Sequence, residues 1–304
     1  MKTILFVALG IIAAVFLIAW VRSRQQRGQE SVGAPTGGEL GLGFVTNFFD
    51  TLGIGSYAPS TAAFRFFKMV PDEQIPGTLT IGHALPTITQ AFIFISIIQV
   101  EMKTLVLLIL ASILGSWLGA GIVVKLPKRA IQIGMGGALT VAAILFILKN
   151  LDELRGAPVF PGGLALGLND GWLIFAIVGN LVLGALMTLG IGMYAPSLIM
   201  ISLLGMDPKA AFPIMMGSCA FLMPVASIRF LKARRYDRAA ALGLALGGIP
   251  GVLLAAFLVK SLPLDAVRVL VVVVIGFTAA TLWRDARREA APVRPPSPSV
   301  ADLR

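Results

Sequence analysis

Two stretches of the chain carry the residue types and spacing of a ligand-binding turn. Residues 51–60 read TLGIGSYAPS and residues 188–197 read TLGIGMYAPS, differing only at Ser56 and Met193. GIGSYA and GIGMYA satisfy the GxGxxG/A spelling of a dinucleotide-binding turn, and Asp72 and Asp207 fall about 20 residues on, where a ribose-binding acid belongs. That chemistry requires a buried strand before the turn and a soluble αβ layer around it. The same residues also suit anion capture by backbone. Gly53, Gly55, Gly190 and Gly192 permit angles that break a helix, while Pro59 and Pro196 cannot continue one but fit the first turn of a new one. A helix starting there aims free N–H groups and about half a unit of positive charge at the turn. The candidate substrate-binding residues are therefore Gly53, Gly55, Ser56, Tyr57, Gly190, Gly192, Met193 and Tyr194, with Pro59 and Pro196 as structural kinks.

Composition decides between the two chemistries. Of the 304 residues 57% are hydrophobic and 13% charged, with a mean hydropathy of +0.89. An ordinary soluble chain is about 25% charged, so this is an integral membrane protein and the nucleotide reading loses its context. Neither an enzyme nor a cofactor is expected. The net charge of +10 comes from Lys and Arg flanking apolar runs, which suits anionic lipid headgroups better than nucleic acid. Cys219 is the single cysteine; it excludes a disulfide framework and reads as a small packed residue. No metal site is expected.

The elements that must position the turns follow from apolar runs of about 20 residues, the length that crosses a hydrocarbon core of roughly 30 Å. Thr3 to Val21, followed by Arg22, Arg24 and Arg27 with no small-residue cleavage site, reads as a retained anchor. Further apolar segments run from Gly41 to Met69, Ile75 to Val100, Thr104 to Val124, Ala130 to Leu148, Trp172 to Leu204, Ala210 to Leu231, Ala239 to Val259 and Ala266 to Trp283. The expected organisation is an anchor and polar linker (1–40), a first transmembrane unit (41–149), a connecting loop (150–171), a second unit (172–283) and a disordered basic, Pro-rich tail (284–304).

The units form an internal repeat. The alignment of Thr51 to Pro59 with Thr188 to Pro196 continues to Pro71 with Pro208 and Pro76 with Pro213, and after a one-residue slip sets Gly115 against Gly251. The fold class expected is an all-α polytopic membrane protein: an anchor helix plus two inverted repeats, each with a broken or re-entrant Gly-rich segment and three spanning helices. Gly/Pro-interrupted segments at corresponding positions of two halves point to the substrate site of a secondary transporter. Treating both long segments as re-entrant places more of the 25 Lys and Arg residues on the cytoplasmic side than nine full crossings do.

Two ionisable residues lie inside apolar runs and are candidates for ion coupling. Asp50 stands just before the first turn, at a helix C-terminus that disfavours negative charge, and Met187 replaces it in the second copy. His83, the only histidine, lies in IGHALPT and can carry a proton near neutral pH. Arg65 and Arg229 suit anion attraction or snorkelling, and Asn47 and Asn180 are further donors. Gly115 and Gly119 form a small-xxx-small packing face.

From Gly41 to Trp283 the chain resembles the sulfite exporter TauE/SafE family of membrane transporters, through the duplicated Gly-rich turn followed by Pro, the two-unit hydropathy, and FFDTLGIGSYAPS with PGTLTIGHALPT. It departs from the family pattern at Ser56 and Met193, where a third glycine is usual, and only the second copy has a Leu, Leu198, soon after its Pro. The resemblance implies movement of a small anion, sulfite or a related sulfur oxyanion or organosulfonate; the apolar spans make the expected location the cell (inner) membrane, multi-pass, and Asp50 with His83 makes a proton the possible coupling ion. The alternative is a non-transporting membrane subunit whose turns only pack helices.

Overall fold

The computed structural model describes residues 2–25, 33–155, 163–190, 192–258, 280, 283–284 and 287. Among these the chain is helical: α1 Lys2–Gln25, α2 Gly37–Thr51, α3 Tyr57–Phe66, α4 Ile75–Gly82, α5 Ala84–Ile97, α6 Met102–Val123, α7 Lys128–Arg155, α8 Asp170–Met187, α9 Tyr194–Leu203, α10 Ala211–Ala233 and α11 Arg238–Leu258. Among the described residues six helical stretches are long and apolar enough to cross a membrane. Large apolar side chains on α1, α6 and α8, among them Ile11, Leu114 and Val178, remain exposed, as lipid-facing residues must.

Each of the two long Gly-rich segments is a pair of helices joined by the turn, α2 to α3 and α8 to α9. A capping box opens α2: the Glu39 amide donates to Thr36 Oγ1 at 3.3 Å and the Thr36 amide to Glu39 Oε2 at 2.7 Å. The run from Ile75 to Val100, expected as one segment, is two helices that meet at His83. Pro86 cannot donate to the Gly82 carbonyl, and Gly82 itself is a poor helix former. Pro224 and Pro250, with Ala220 and Leu246 four residues before them, leave α10 and α11 in one piece. Helix α7 runs on to Arg155, into the stretch expected as loop. Most of the last apolar run, the tail and residues 26–32 lie outside the described residues.

Close packing at glycines sets the helix pairs. α2 lies along α11, with Gly43 against Leu244, Gly243 against Glu39, and Gly251 against the Phe44 backbone. α6 lies along α8, with Gly115 against the Leu181 backbone and Gly119 against Ala185. Lipid tails supply no hydrophobic drive between helices, so backbone approach and polar contacts must hold them. Asn180 Nδ2 accordingly donates to the Leu108 carbonyl at 2.6 Å and to Ser218 Oγ at 3.0 Å. The pairing is reciprocal: the first helix of each unit packs on the long helix of the other that carries Gly115 or its counterpart Gly251.

The contacts also give directions. In both pairs the residue numbers rise together, so α2 runs parallel to α11 and α6 parallel to α8. α4 and α5 run against α10, with Gly77 beside Phe230 and Phe94 stacked on Phe212. α2 begins beside the start of α11, and Asp237, just before α11, donates its amide to Thr78 Oγ1 of α4 at 2.9 Å. α3 ends where Arg65 pairs with Asp72 at 2.6 Å, just before α4. The first hairpin thus leaves one end of the bundle and returns to it. At the other end, Leu168 before α8 donates to Thr104 Oγ1 of α6 at 2.9 Å, and Asp207 after α9 donates to the Ala165 carbonyl at 2.9 Å. The second hairpin therefore enters and returns at the opposite end. Helices α3 and α9 have 10 residues each, a rise of about 15 Å, so each turn lies about half-way through a core of roughly 30 Å.

Candidate functional site

The first turn closes α2 by backbone bonds from Gly53 N to Asp50 O at 2.9 Å and from Ile54 N to Phe49 O at 3.0 Å. Gly53 at φ 91° and Gly55 at φ 89° occupy the left-handed region that a side chain disfavours. α3 then starts at Tyr57 with Ser56 in front of it, and the Ser56 side chain caps none of its amides. The second turn starts the same way: Gly190, φ 103°, donates to Met187 O at 3.0 Å, and α9 starts at Tyr194 behind Met193. Ile191 and the side chains of Tyr194 and Ala195 lie outside the described residues. The two turns meet: a Cβ added to Gly192 would stand 3.9 Å from Tyr57 Cβ. Two helix N-termini from opposite hairpins therefore converge in the interior.

Buried polar groups without hydrogen-bond partners accompany them. The Tyr57 hydroxyl nears Thr80 without closing a bond, and Ser197 Oγ, in the first turn of α9, is fully buried. Such groups cost about 1–3 kcal/mol each when left unsatisfied, which suits a site that receives a polar ligand. Sequence reasoning missed Ser197 and its counterpart Ser60, although both close the repeated decapeptide.

Asp50 is buried one residue before the end of α2. Gln90 of α5 donates through Nε2 to Asp50 Oδ2 at 2.8 Å and to Thr51 Oγ1 at 3.0 Å, while the carboxylate also faces the amide and hydroxyl of Ser56. Among the described residues no basic side chain pairs with it. Gln90 was missed as well; its signal is an amide in the middle of the apolar run ITQAFIFI. In the second unit Met187 takes the place of Asp50, and the Cys219 thiol donates to its Sδ at 3.5 Å. Cys219 is thus a packed residue.

His83 is not in contact with Asp50. Its Nε2 is 3.0 Å from Ser60 Oγ of α3 and its Nδ1 3.1 Å from Asn47 Oδ1 of α2, a pattern that fits a ring with its proton on Nδ1. The ring also lies 5.7 Å from that of Tyr57. It ties both arms of the first hairpin to the bend between α4 and α5. Asn47 and Asn180 serve helix packing, Arg65 is held by Asp72, and the Arg229 guanidinium lies 3.8 Å over the Trp117 ring. None of these four is brought to the turns.

No strand precedes either turn among the described residues; α2 and α8 do. The dinucleotide spelling is therefore carried by helix–turn–helix hairpins. The family model described as Sulfite exporter TauE/SafE matches residues 1–146 and 172–302. The chain belongs to the TauE/SafE family. No curated protein and no solved structure matches it. TauE/SafE membership makes the chain a multi-pass membrane transporter of the sulfur-anion exporter type and not an enzyme.

Proposed function

We propose that the chain carries a small sulfur oxyanion or organosulfonate across the cell (inner) membrane, bound between its two Gly-rich turns, with flux linked to protons through Asp50 and His83 behind it. Supporting this reading above all is the meeting of two uncapped helix N-termini beside buried, unpartnered hydroxyls. Backbone N–H groups compensate an anion in a low-dielectric bundle without a full positive charge that would hold it too tightly to release. The opposite directions of counterpart helices support inverted units, which can expose one central site to either face in turn.

Counterflow in liposomes holding the purified chain tests the proposal. With unlabelled sulfite inside, labelled sulfite outside should accumulate transiently and saturably, methanesulfonate should compete, and chloride should not. Accumulation no greater than in protein-free liposomes, for every anion in the panel, would favour the non-transporting subunit.

A further inference from the structure

The carboxylate of Asp50 stands where a bound anion is expected. It faces the Ser56 amide and hydroxyl at the start of α3, on the same turn that the proposed function gives to substrate. Gln90 holds it there, spending Nε2 on both Asp50 and Thr51, while Gln90 Oε1 is buried with no partner. An amide whose nitrogen is used twice and whose oxygen is idle gains from reversing once its neighbour becomes a donor. A protonated Asp50 is that neighbour: its O–H would donate to Oε1, and the NH2 group would move to the buried place the oxygen now fills.

Resting on that functional reading, we propose that the ionised Asp50 side chain is a tethered internal anion that occupies the first turn in place of substrate, and that Gln90 reads its protonation. A proton on Asp50 releases the Ser56 amide and, through reversal of the Gln90 amide, adds an N–H donor; loss of the proton returns the carboxylate and ejects the anion. Proton and substrate anion then bind together because they remove the same competitor. Only one turn carries the device, since Met187 stands at the counterpart position of Asp50. The titratable groups near Asp50 are Tyr57 on α3 and Cys219 on α10; Gln90 is its contact from α5, and the α11 face against α2 holds glycines and Leu244.

The test is equilibrium binding of methanesulfonate, whose charge does not change between acidic and alkaline pH, to the purified full-length chain. Parental affinity should fall as pH rises. Asp50→Asn should bind with nearly the same affinity throughout, and at alkaline pH about tenfold or more tighter than the parent. Gln90→Leu, which keeps the acid but removes its donor, should move the fall in affinity to higher pH. A parental affinity flat in pH, or an Asp50→Asn profile as steep as the parent's, overturns this inference and leaves anion carriage standing. A parent that binds neither methanesulfonate nor sulfite overturns the functional reading, and this inference with it.

Discussion

Gly55→Val and Gly192→Val should each lose anion flux by at least about tenfold, the factor set by ~1.4 kcal/mol of lost stabilisation, while the protein still inserts and purifies. The two fail by different routes. At Gly55 a Cβ meets open space, but φ is +89°, and forcing a β-branched residue into that region costs about 1–3 kcal/mol and fills the approach to the α3 amides. At Gly192 the added Cβ reaches ordinary contact with Tyr57 at 3.9 Å, so the valine methyl groups press into the ring and wedge the turns apart. Gly41→Ala, on α2 with nothing within 4 Å of the new atom, is the matched control and should keep parental flux. Parental flux and affinity in both turn variants would show that the glycines serve the fold alone.

A second large effect is expected at the glycine seams. A Cβ at Gly115 would overlap the Leu181 carbonyl, and one at Gly251 the Phe44 carbonyl. Both obstacles are backbone of a packed helix, which cannot turn aside as a side chain can. Gly115→Ala and Gly251→Ala should each cost about 3 kcal/mol, the upper range of overpacking, and be seen as aggregated or poorly extracted protein in size-exclusion chromatography. Gly119 belongs to the same seam, with a Cβ meeting Ala185 O at 2.6 Å and Thr188 Oγ1 at 2.7 Å, so it is no neutral control for the turns. A monodisperse Gly115→Ala protein of parental thermal stability would contradict the seam.

Much of this architecture was legible in the sequence because its causes are local. The repeated decapeptide carries its own helix break, and apolar run length marks the helices. The bend at His83 was legible in principle, since Pro86 and Gly82 are both visible, but proline alone does not decide it, as α10 and α11 demonstrate. What the sequence hid is the meeting of distant residues. Gln90 reaches Asp50 across 40 positions, and His83 bonds to Asn47 and Ser60 rather than to Asp50; both follow from how α5 crosses the first hairpin, which no periodicity encodes. The partner of each glycine face was likewise open, because a stripe of small residues says that something packs there but not which helix.

The central claim is that two hairpins enter from opposite faces and bring their turns together at half depth. Thiol labelling tests it most directly, with Lys68→Cys after α3 and Lys209→Cys after α9, both exposed, in a Cys219→Ser background. Val70, although near the same end, is buried and would label poorly. In intact cells an impermeant reagent should modify the cysteine at 209 and spare that at 68, which lies with the basic clusters that favour the cytoplasm; in inverted vesicles the pattern should reverse. Labelling of both positions from the same side would contradict the opposed hairpins, and with them the single anion site.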